Sequence, residues 1–175
     1  MVLKGPRTGL EQKFFELTSK IVSENGLELY EMDWHRPSGN LVVYIMNPET
    51  KSAVLDDCVK VDRGFNPYLE TETWIPENFT LEVSSPGVYR SLSTVEHFKN
   101  VLNEDVMLHL NKKIDDEKYP EFPKAMRNNL KIKVALESVD DHGINVDAKG
   151  VKIFIPYEQI KKANLEADLN KIKSE

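Results

Sequence analysis

At 175 residues, 40% hydrophobic and 30% charged, the chain is long enough for one medium domain or two small ones and too short for a large multi-domain enzyme. No apolar run reaches the roughly 20 residues of a bilayer crossing, the start lacks a signal peptide's apolar stretch, and the single Cys58 forms no internal disulfide or zinc site by itself. The net charge of −6 argues against electrostatic coating of nucleic acid, yet residues 1–90 hold nine Lys/Arg and fourteen Asp/Glu whereas residues 91–175 hold fourteen and fifteen.

Leu10, Phe14, Leu17 and Ile21 recur at helical spacing, with Thr8 as the expected N-cap and Gly26 where a left-handed turn ends a helix. Residues 27–34 and 41–46 are aromatic or β-branched enough for strands, and Pro37-Ser38-Gly39-Asn40 between them supplies a hairpin turn. Asp56 is the expected cap of a second helix whose apolar positions are Cys58, Val61, Phe65 and Leu69. Pro67 should kink or shorten it. Residues 79–83 alternate as a strand, and Ser84-Ser85-Pro86-Gly87 stops it. The first unit therefore reads α-β-β-α-β.

Ser93 and Glu96 form a capping-box pattern for a short connector helix through Phe98. Four strands follow at residues 106–110, 130–139, 144–147 and 151–155, the later ones joined by turns at residues 140–143 and at Lys149-Gly150. Pro156 suits a single helical turn before a last strand around residues 163–165, and the tail through Leu169 and Ile172 has weak helical spacing. The second unit reads as a small antiparallel β-barrel, giving an α+β chain divided as residues 1–92 and 93–175.

The run Leu81-Glu82-Val83-Ser84-Ser85-Pro86-Gly87-Val88-Tyr89-Arg90-Ser91-Leu92 closely resembles the signature of the ribosome maturation factor RimP family. Val43-Tyr44-Ile45, the run of residues 55–63 and that of residues 154–163 agree with it in order and spacing. The resemblance implies a KH-like N-terminal domain, a C-terminal Sm-like barrel, and a cytoplasmic, non-enzymatic assembly factor without cofactor or metal. Such a factor acts on the free small (30S) ribosomal subunit in late maturation, contacting its rRNA and a basic small-subunit protein near the decoding centre. Its expected state is a monomer away from membranes. Two features depart from the family pattern: Tyr89 and Ser91 stand where Asp and Pro are more usual, and residues 112–129 form a longer, more acidic segment.

Gly87 opens backbone conformations closed to other residues, so the amides after Pro86, the Ser84 and Ser85 hydroxyls and Arg90 are candidates for a phosphate site. The alternative is a turn at the domain junction whose serines cap backbone amides. Lys124, Arg127, Lys131 and Lys133 are further rRNA candidates; Lys149, Lys152, Tyr157, Lys161 and Lys162 are candidates for contact with the subunit or its protein. For each lysine the plainer role is a solvent-facing strand position. A general KH- or Sm-type single-strand RNA-binding module is the second functional reading, weakened by the missing Gly-x-x-Gly clamp and the acidic balance. A hydrolase using Ser84 or Ser85 lacks a motif-linked base, and the four histidines fall in no metal-binding spacing.

Overall fold

The computed structural model describes residues 2–166, so the expected helix through Leu169 and Ile172 lies outside the described residues. The chain forms two compact units, one of Pro6–Gly87 and one of Val88 onward that also includes residues 2–5. This division runs after Gly87, whereas the sequence reading divides the chain after Leu92. The physical reason is local: Leu92 is 1% exposed within the second unit's core, and its N–H bonds the Ala163 carbonyl at 2.9 Å.

The first unit has the order α1 (Gly9–Glu24), β1 (Glu28–His35), β2 (Asn40–Met46), α2 (Leu55–Thr71) and β3 (Thr80–Ser84). Thr8 occupies the N-cap of α1 without a side-chain cap bond. At the other end Gly26 (φ +71) donates to Ser23 O and Leu27 donates to Val22 O, the two bonds of a Schellman stop. β1 and β2 pair antiparallel, and β3 joins β2 in parallel after the α2 crossover, giving the order β1-β2-β3. A bulge between Leu29 and Glu31 resets the alternation of β1, so that Leu29, Met32 and Trp34 all pack against the core.

Three details of α2 differ from expectation. Val54, not Asp56, stands at the N-cap; Val54 has no acceptor, and the Asp57 carboxylate instead reaches back to accept the Val54 N–H at 3.2 Å. Leu69 is 43% exposed, because the buried stripe continues from Val61 and Phe65 to Tyr68. Pro67 does not shorten the helix, which runs on to Thr71, whose hydroxyl donates to the Pro67 carbonyl at 2.9 Å. The core is an aromatic cluster in which Phe14 meets Trp34 at 4.5 Å, Trp74 at 5.0 Å and Phe79 at 5.3 Å between ring centres.

The second unit opens with a short helix, α3 (Val95–Lys99), capped by Thr94 rather than Ser93: the Thr94 hydroxyl accepts the His97 N–H at 3.1 Å. Strands β4 (Asp105–Leu110), β5 (Lys131–Val139), β6 (Gly143–Ala148), β7 (Val151–Pro156) and β8 (Ile160–Leu165) follow, with a 3-10 turn at Tyr157–Gln159. They form one antiparallel sheet in the order β7-β6-β5-β4-β8, the last strand returning beside the first. Alternate residues, among them Val106, Leu108, Ile132, Val134, Leu136, Ile144 and Val146, bury one face.

Residues 112–129 are packed rather than loose, since Ile114, Phe122 and Met126 enter the same core. Arg127 fastens this segment, donating to the Pro120 and Phe122 carbonyls and pairing with Asp116 at 3.5 Å. Tyr119 uses one hydroxyl to accept the Phe154 N–H and donate to the Phe154 carbonyl, both at 3.2 Å, on the free side of β7. Residues 90–92 cover the free side of β8 through Leu165 N–H to Arg90 O, Leu92 N–H to Ala163 O and a bridge between Ser91 and Asn164. The β8 edge thus has backbone partners and the β7 edge a side-chain partner at Phe154, which blunts strand addition at both.

Candidate nucleic-acid interface

The Ser-Ser-Pro-Gly turn leaves the C-terminal end of β3. Gly87 adopts φ +76 with open space where a Cβ would stand, so the turn's conformation, not crowding, selects glycine. Its N–H donates to the Ser85 hydroxyl oxygen at 3.2 Å, while the Ser84 hydroxyl donates to the Ser85 carbonyl at 3.2 Å. These are bonds of a self-capped turn. Gly87 ends the first unit, and Arg90 belongs to the second, where its carbonyl accepts from Leu165.

The basic candidates separate by what their side chains touch. Arg127 is spent on residues 112–129 as described above. Lys133 pairs with Asp105 at 3.1 Å and Lys152 with Glu137 at 2.7 Å; the Glu137 carboxylate raises the Lys152 pKa by hydrogen bond and charge. Lys124, Lys131, Lys149, Lys161 and Lys162 are exposed, and Lys149 takes a left-handed turn position at φ +57. Tyr157 is the clear correction to the contact set. It is 3% exposed, packs its ring at a tilt against Phe98 with 5.6 Å between ring centres and donates its hydroxyl to the Asp140 carbonyl at 3.1 Å, leaving no ring surface for a partner. Burial, reinforced by Asp140 and Asp141, pushes its pKa up to about 12.

Register adds a residue that one-dimensional reading passed over. On the solvent side of the sheet His109 of β4 lies directly between Lys131 of β5 and Lys162 of β8. Its chain neighbours Leu108 and Leu110 are buried, so alternation turns His109 outward with the two lysines. Period-2 patterning places each residue on its face, but only strand pairing brings the three into one row.

Cys58 and His97 sit in packing and capping positions. Cys58 is half-buried, and burial with the Asp57 charge raises its thiol pKa, the opposite of nucleophile activation. His97 Nδ1 accepts the Ser93 N–H at 3.2 Å, so that buried histidine closes a helix start. Among the described residues no group of three or more His, Cys, Asp or Glu is placed to hold a metal ion, and no helix is long and apolar enough to cross a membrane. In the first unit a cleft of about 430 Å³ is bordered by Leu69, Ile75 and Phe79 with Glu70, Glu72 and Glu77.

An α-β-β-α-β unit followed by a five-strand antiparallel sheet with exposed lysines defines a two-unit α+β protein. Residues 17–89 match the family model of the RimP N-terminal domain. The match covers most of the first unit and takes in the whole Ser-Ser-Pro-Gly turn on which the resemblance rests.

Proposed function

We propose that the chain is a non-enzymatic maturation factor for the small (30S) ribosomal subunit, binding the free subunit transiently in the cytoplasm and favouring a native-like local arrangement. The observation that carries this reading is the RimP N-terminal domain match over residues 17–89. The charge distribution supports a division of contacts. Pro6–Gly87 holds seven Lys/Arg against fourteen Asp/Glu, suited to a basic small-subunit protein, whereas the second unit presents exposed lysines suited to rRNA. The protein works as a monomer without cofactor or metal.

Of the candidate contacts, Lys124, Lys131, Lys149, Lys161 and Lys162 remain, together with Arg90; the serine turn serves to shape the chain at the end of β3. Sedimentation with free small subunits, mature subunits and bare rRNA tests the proposal. Selective migration with free subunits is expected. Equal binding to bare RNA would replace it with the general single-strand RNA-binding module.

A further inference from the structure

We infer that Lys162, His109 and Lys131 form a single phosphate-binding row that seats the RNA backbone on the sheet's solvent side; the inference rests on the ribosomal reading above. The row runs across three adjacent strands, β8, β4 and β5, because His109 is in register with both lysines. Strands lie about 4.8 Å apart, so the row's ends are about 10 Å apart at the backbone. Lysine stems are long enough for both ammonium groups to turn toward one phosphate or to hold two consecutive ones, with the imidazole N–H as a donor between them.

The rest of the face explains why this row carries the site. The next row is Asn164, Met107 and Lys133, and the Lys133 ammonium faces Asp105 at 3.1 Å. Farther along, Ala135, Asp147 and Lys152 align, and Lys152 is held by Glu137 at 2.7 Å. Carboxylates therefore neutralise the lysines at that end. Among the described residues no carboxylate is within ion-pair distance of Lys131 or Lys162. Positive charge with mobile donors is concentrated on one row, and the bulge beside His109 sets Lys161 next to Lys162 at its margin. An RNA phosphate meets charge there without first displacing an internal ion pair.

The test measures binding of the full chain to purified free small subunits over a series of KCl concentrations. Each phosphate-contacting lysine contributes about one unit to the slope of log affinity against log salt, so Lys131→Ala with Lys162→Ala should flatten the slope by about two units. The pair Lys133→Ala with Lys152→Ala should leave it unchanged, Lys131→Arg with Lys162→Arg should keep it, and His109→Ala should weaken binding without changing it. An unchanged slope in the Lys131/Lys162 variant, or an equal loss in the Lys133/Lys152 variant, overturns the row. Wild-type protein that fails to bind free subunits overturns the ribosomal reading and the row with it; binding that is indifferent to the row overturns the row alone.

Discussion

The two units are built from opposite materials. The first packs rings: Phe14 touches Trp34, Trp74 and Phe79, and Phe65 lies 6.2 Å from Phe79. The second packs mostly aliphatic side chains against one face of a sheet, with Phe98, Phe122 and Tyr157 as the rings buried among them. Their surfaces differ in the same direction, acidic on the first and locally basic on the second. A ring cluster concentrates stability on a few large side chains, whereas the alternating sheet spreads it over many small ones. The sheet's other face is thereby free to present charge at fixed spacing.

The largest expected effect tests that concentration. Phe14→Ala removes the ring at the centre of three aromatic contacts and should cost the first unit about 3–5 kcal/mol. Both tryptophans of the chain, Trp34 and Trp74, border the Phe14 ring, so tryptophan emission during urea unfolding reports this unit. The variant should lower that midpoint strongly. A loss below about 1 kcal/mol would mean that the cluster is not the keystone of the unit.

The second unit should announce itself at high pH through Tyr157. Below pH 10 its phenol is protonated in folded and unfolded chains alike; between the ordinary value of 10.0 and the folded value of about 12 the unfolded chain releases the proton while the folded chain keeps it. The unfolded state then binds fewer protons, so stability falls as pH rises through this window, by about 3 kcal/mol in full. Tyr157→Phe should lose about 1 kcal/mol at neutral pH with the bond to Asp140, and its alkaline decline should be shallower than wild type in urea melts followed by far-UV circular dichroism. Equal declines would place the alkaline sensitivity elsewhere.

Much of this architecture was legible because local rules act locally. The spacing of Phe14, Leu17 and Ile21 and the stop at Gly26 define α1, and the residues on either side of Pro37-Ser38-Gly39-Asn40 define the hairpin. Caps differ from expectation where two neighbours compete: Asp57 reaches back to Val54 while Asp56 stays exposed, and Thr94 takes the role expected of Ser93. The site was less legible. Lys124, Arg127, Lys131 and Lys133 look like one basic stretch, yet Arg127 turns inward to fasten residues 112–129 and Lys133 pairs with Asp105. Lys131 and Lys162, distant in sequence, meet only through His109 and antiparallel register.

Arg127 sharpens the contrast between fastening and binding. Arg127→Ala should release the bonds to Pro120 and Phe122 and cost the second unit about 2 kcal/mol. It should also raise protease cleavage within residues 112–129, while the salt slope of subunit binding stays at the wild-type value. A flattened slope with an intact segment would return Arg127 to the phosphate contacts.

The smallest effect concerns the serine turn, where the choice is between an amide already used and an amide offered. In the folded chain the Gly87 N–H is held by the Ser85 hydroxyl, so a phosphate there would have to displace an existing bond, unlike one meeting Lys131 and Lys162. Ser85→Ala should therefore cost the first unit about 1 kcal/mol, read by tryptophan emission, and leave the salt dependence of subunit binding as it was. A shallower dependence in Ser85→Ala would reverse that order and make the turn a phosphate contact in its own right. Unchanged dependence together with the small stability loss keeps the turn as structure and the sheet as the binding face.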